Sequence, residues 1–137
     1  MNIKTYVSAV CLVWLIALIT DYIGHHLIFQ RVWKKFGAPP PVEPPNSEKA
    51  SWNIFAAFLY AVLFVQTYTL NFIGTGPVTG FQFGLTVGCL MSIPPLIHRR
   101  AQETIKWELE WIVPFITIAE SGFAGIIVGW LFSQVRY

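Results

Sequence analysis

Apolar residues along this chain gather into four long runs, Tyr6 to Phe29, Trp52 to Phe72, Val78 to Ile97 and Ile112 to Phe132, with no sustained alternation of apolar and polar positions. Each run is about 20 residues, the helical length that crosses a hydrocarbon layer about 30 Å thick. Runs this long predict transmembrane helices rather than strands. With their flanks the helices are expected over about 5–33, 52–72, 78–97 and 101–133, in a single domain covering 1–137. The fold class is an all-α four-transmembrane-helix bundle.

The breaks between the runs carry the turn chemistry. In KKFGAPPPVEPPNSEKAS, Pro39, Pro40, Pro41, Pro44 and Pro45 favour an extended path, so 36–50 reads as a semi-rigid loop. The uncharged IGTGPV, with two glycines, predicts a tight reversal that makes the second and third helices antiparallel neighbours. In HRRAQETIKWELEW, Ala101, Ile105, Leu109 and Ile112 recur at helical spacing, with Glu103, Lys106, Glu108 and Glu110 elsewhere on the wheel. That pattern predicts an interfacial amphipathic turn leading into the fourth helix. Pro94 and Pro95 should bend or end the third helix, whereas Pro114 sits in the first turns of the fourth, where proline is better tolerated.

Composition agrees with the pattern. The chain is 55% hydrophobic and only 12% charged, about half the charge of a soluble domain. A formal charge of +2 with no long basic run excludes nucleic acid as a partner. Cys11 and Cys89 fall inside apolar runs, so neither a disulfide framework nor a zinc site is indicated. No small-residue cleavage site follows the first run, which reads as a retained helix. Arg31, Lys34, Lys35, Lys49, Arg99, Arg100 and Lys106 lie on one side of the four spans, and Lys4 and Arg136 on the other. The positive side is normally cytoplasmic, so both termini are expected on the non-cytoplasmic face. Trp33, Trp52, Trp107 and Trp111 near one boundary, and Tyr6, Tyr68, Trp130 and Tyr137 near the other, read as interfacial aromatic belts.

Two rows of small residues predict helix packing. Gly80, Gly84, Gly88 and Ser92 recur every four residues in the third run, as do Ser121, Gly125 and Gly129 in the fourth. Such rows let backbones approach closely, a main source of association where apolar side chains gain little by leaving lipid. The third and fourth helices are expected to meet along them.

The sharpest chemical feature is LITDYIGHHLIF, which places Asp21, His25 and His26 inside an apolar run. Asp21 stands ten residues before Arg31, and Glu120 ten after Glu110, so both acids come out about 15 Å inside their charged markers. On an α-helical wheel His25 shares a face with Asp21, whereas His26 points about 140° away. Buried ionisable groups pair with one another or with polar side chains, and two acids alone repel. Asp21, His25 and Glu120 therefore form a candidate cluster with three readings. It fixes helix register; it is a proton or cation site with Gln66, Thr67 and Thr86 as further polar lining; or it holds a divalent metal, with a haem between His25 and His98 as a variant. No HExxH, paired CxxC, haem-attachment, nucleophile-elbow or phosphate-loop motif is present, so no cofactor and no catalytic residue is predicted. Arg99, Arg100 and Lys106 are candidates for anionic lipid headgroups.

In LIFQRVWKKFG, with Phe29, Trp33 and Gly37, and in the closing AGIIVGWLF, the chain resembles small bacterial four-helix inner-membrane proteins of uncharacterised families. The resemblance implies a multi-pass architecture in the bacterial inner (cytoplasmic) membrane and carries over no functional residue. The sequence is read as a non-catalytic integral membrane subunit or scaffold, with lipids and other membrane subunits or a second copy as partners. The rival reading is a proton-linked or cation-binding small membrane protein, dimeric, that uses Asp21, His25 and Glu120.

Overall fold

The computed structural model describes residues 2–35, 47–71, 74–101 and 111–135. These residues form α1 (Ile3–Asp21), a π-helical segment π1 (Tyr22–Phe29), α2 (Gln30–Lys35), α3 (Ser47–Asn71), α4 (Pro77–Ala101) and α5 (Ile112–Gln134). Four stretches are long and apolar enough to cross a membrane: Ile3–Gly24, Ala50–Leu70, Pro77–His98 and Ile112–Gln134. Most of the proline-rich loop, 36–46, and the expected amphipathic turn over 102–110 lie outside the described residues. α3 starts ahead of its apolar run because SEKAS, after the last proline, contains nothing that opposes a helix.

Side-chain contacts set the helix directions. Tyr6 donates its hydroxyl hydrogen bond to Gln66 Oε1 (3.1 Å), the Tyr68 and Phe132 rings stand 5.7 Å apart, and the Gly76 N–H donates to the Gly129 carbonyl (3.1 Å). The start of α1, the end of α3, the start of α4 and the end of α5 therefore share one end of an up-and-down bundle. Asn2 begins it, accepting the Lys4 N–H on its side-chain oxygen (3.1 Å) and capping α1.

Two seams of different kinds join the helices. Between α1 and α3, the buried rows Ala9, Val13, Ala17 and Ala57, Ala61, Val65 each recur every four residues. Trp14 closes this seam, packing edge-on to Phe58 at 5.5 Å and donating Nε1–H to the Ile54 carbonyl (3.3 Å). The second seam, between α4 and α5, is made of backbone. At Gly80 a Cβ would fall on the Gly125 carbonyl oxygen, at Gly84 on that of Ser121, at Gly125 on that of Gly80, and at Gly129 on that of Gly76. The glycine hydrogen that stands there instead points at the oxygen, which is the geometry of a Cα–H···O contact. α3 and α4 meet through rings, Phe64 on Phe83 at 5.1 Å and Tyr68 on Phe83 at 5.2 Å. Val13, Val65 and Val128 are fully buried where α1, α3 and α5 converge. Outward faces carry Leu15, Ile19, Phe55, Leu63, Leu90, Phe115 and Phe123, as contact with acyl chains requires.

Three expectations change. α4 does not end at Pro94 and Pro95 but continues to Ala101. Both prolines are exposed, and the helical hydrogen bonds they remove are those to the Leu90 and Met91 carbonyls. Tyr68 is buried at 8% exposure rather than standing in an aromatic belt, because its ring fits between Phe83 and Phe132 and its hydroxyl reaches the Gly74 carbonyl (3.2 Å). Finally, the backbone after Asp21 is π-helical for eight residues.

Candidate functional site: an acidic pair beside a closed seam

Asp21 is the last residue of α1, and Glu120 lies midway along α5. Asp21 is exposed and Glu120 half-buried. Their carboxyl groups are close enough to interact electrostatically. What brings the two elements together is Gly24, one turn beyond Asp21, which is buried against Ile116, one turn before Glu120. A Cβ at Gly24 would stand 3.0 Å from Ile116 Cγ2, so a larger residue fits there only if the Ile116 side chain gives way by a few tenths of an ångström.

On the inner side of Glu120 the site is closed by a hydrogen bond. Ser121 is fully buried and its Oγ lies 2.9 Å from the Tyr60 hydroxyl. The Tyr60 phenol also feels the Glu120 charge. Asp21, Glu120, Ser121 and Tyr60 thus form a polar line from the outer face of α1 to the interior face of α3. Beyond Ser121 the interior is filled: its Cβ is 3.1 Å from where a Gly88 Cβ would be, and Ala124 and Val128 have no exposed surface. An open, mostly apolar cavity of ≈ 630 Å³ is walled by Thr20, Ile112, Phe115, Ile116 and Ala119, of which Thr20 and Ala119 are the chain neighbours of the two acids. The Thr20 hydroxyl donates to the Ile16 carbonyl (2.8 Å).

The remaining expected site residues fall in several places. The His25 and Arg99 side chains and all of Lys106 lie outside the described residues. Arg100 and His98 are exposed in the last turn of α4. Among the described residues no three His, Cys, Asp or Glu side chains stand together as metal ligands. Gln66, Thr67 and Thr86 do not line the acidic pair. Gln66 accepts from Tyr6, fifteen residues and about 22 Å up α1 from Asp21, and Thr67 and Thr86 belong to the groove between α3 and α4.

Of the small residues, Gly80, Gly84, Gly125, Gly129 and Ser121 form the α4–α5 seam directly. Gly88 faces Ile118 Cα, where a Cβ would stand 2.8 Å away, and Ser92 is buried with its hydroxyl on the Gly88 carbonyl. Three contributors escape the sequence reading. Gly76, read as a turn residue, extends the four-residue row backwards from Gly80 and donates the interhelical backbone bond to Gly129. Its φ of +130° also demands glycine. Gly122 receives Phe81 and Leu85, whose atoms lie 3.2 and 3.3 Å from its Cβ position. Ala57 and Ala61 with Ala9 and Ala17 follow the same four-residue rule, which was the available signal.

Comparison with protein-family models, with characterised proteins and with solved structures gives no match for this chain.

Proposed function

We propose that the chain is a non-catalytic, multi-pass subunit of the bacterial inner membrane, with both termini on the non-cytoplasmic side. It joins a partner membrane protein through the face that carries Asp21 and Glu120. The observation that carries this reading is the exposure of Asp21 at membrane depth, beside Glu120 and an open apolar cavity. A carboxyl group at the outer surface of a span is costly there even when it has a contact within its own chain, and a partner helix that covers the Asp21–Glu120 face lowers that cost. Support also comes from what the other surfaces leave over. The glycine rows are occupied within the chain itself, and Ser121, Ala124 and Val128 behind Glu120 have no exposed surface. The excess of Lys and Arg on the side opposite the termini supports the orientation.

The test is extraction of the tagged native protein in mild detergent, with mass spectrometry of what accompanies it. A stoichiometric membrane partner that is retained in wild type and lost in Asp21→Leu/Glu120→Leu is the expected result. A lone monomer in wild type removes the reading. The proton-linked or cation-binding alternative draws on the electrostatic contact of Asp21 with Glu120 and the adjoining Ser121–Tyr60 pair. Proton or cation flux in proteoliposomes that disappears in a folded Asp21→Asn protein would favour it over the subunit reading.

A further inference from the structure

α4 carries two rows of residues that point in different directions. Gly80, Gly84 and Gly88, at the strict four-residue spacing, are buried on α5. Thr79, Gln82, Thr86, Cys89 and Ile93 follow another side of the helix at alternating spacings of three and four residues, with Gln82, Thr86 and Ile93 exposed and Thr79 and Cys89 half-buried. That alternation is the heptad seam by which two helices wind about one another. The row lies within a membrane-spanning stretch, and among the described residues nothing hydrogen-bonds the Gln82 side-chain amide. An exposed amide in hydrocarbon is costly, so a group that reaches Gln82 from outside the chain stabilises the protein.

A second copy of the chain supplies such a group with no further condition. A carboxamide both donates and accepts, so two Gln82 side chains set face to face satisfy one another. Copies inserted in the same direction carry Gln82 at the same depth, and a two-fold axis along the membrane normal lays the row on itself, Gln82 on Gln82 and Cys89 on Cys89. The Thr86 hydroxyl spends its hydrogen on the Gln82 carbonyl (2.9 Å) and keeps an oxygen that can accept from across the axis. Charge separates this face from the acidic one. The row holds no ionisable carboxyl or basic group, whereas an axis through Asp21 and Glu120 would set the acids of one copy against those of the other.

We infer that this face of α4 is the contact of a parallel, two-fold homodimer, with each Gln82 amide hydrogen-bonded to its counterpart in the second copy and the two helices crossing at about 20°. Cys89 stands twelve residues into α4, about 18 Å from its start, and meets its counterpart near the middle of the bilayer. The contact lies on a different helix from Asp21 and Glu120 and does not depend on what covers them.

The two native cysteines make the test. Cys89 is in the row and Cys11 is exposed on α1, so oxidation of the full chain in membranes with copper phenanthroline distinguishes a dimer through α4 from random collision. A disulfide-linked dimer that persists in Cys11→Ser, is absent in Cys89→Ser and falls about fivefold or more in Gln82→Leu is the expected result. Ile93→Trp, further along the row, serves where Gln82→Leu does not extract as a folded protein; it too should lose the crosslink. Photobleaching of the labelled chain at low density in liposomes reads the same state without the thiol, as two steps in wild type and one in either variant. Single steps in wild type, a crosslink that follows Cys11, a dimer unchanged in both variants, two steps without a Cys89 disulfide, or a Cys89 crosslink to a different protein would each overturn the assignment.

Discussion

The α4–α5 seam and the α1–α3 seam obey the same four-residue spacing and hold their helices together by different physics. Along α4 and α5 the glycines put carbonyl oxygen against Cα, so the contact is between two backbones whose positions are fixed by their own helical hydrogen bonds. Each Cα–H···O contact contributes roughly 0.5–1 kcal/mol, and the short separation multiplies dispersion contacts. Along α1 and α3 the spacers are Ala and Val, and the contact is between side chains, with Trp14 adding an aromatic edge and an indole hydrogen bond. Side chains can shift by a few tenths of an ångström, whereas a helix backbone moves as a rod. The glycine seam is therefore stronger and less forgiving.

The largest effect should follow from Gly84→Ala, whose methyl would fall on the Ser121 carbonyl. Unfolding in mixed detergent followed by circular dichroism is expected to show a loss of about 3 kcal/mol, at the upper end for overpacking, because neither rod can yield locally. The same assay on Val13→Ala, which removes methyl groups from the other seam, should show roughly 1–2 kcal/mol, and a cost above that of Gly84→Ala would reverse the contrast. Smallest should be Ser121→Ala, which keeps the Cβ against Gly88 and removes only the Tyr60 hydrogen bond. About 0.6 kcal/mol is the usual size of such a bond in a membrane bundle, and a double-mutant cycle with Tyr60→Phe isolates it.

The sequence made the four apolar helices legible, since length and hydropathy need no tertiary information. The glycine rows of α4 and α5 were also visible, because Gly at four-residue spacing has few other uses in a helix. The alanine and valine rows of α1 and α3 were not, because Ala and Val serve equally well facing lipid. Residue counting placed Asp21 and Glu120 at one depth but could not give their direction. That depends on Gly24 meeting Ile116, a contact between positions far apart in the chain. The π winding after Asp21 has no local signature either, as IGHHLIF is compatible with an ordinary α-helix. Tyr68 looked interfacial because a tyrosine near the end of a span usually is, and only the Phe83 and Phe132 rings make its buried place available.

The glycine seam also has a bearing on biosynthesis. Chains emerge from the ribosome N-terminus first, so α1 and α3 enter the bilayer before the carbonyls of Gly125 and Gly129 exist to receive α4. Val13 and Val65 wait for Val128 in the same way. Assembly of the bundle is thus a late event, completed by its final helix, and a nascent chain stalled before Gly129 would present an unfinished surface to whatever monitors membrane insertion.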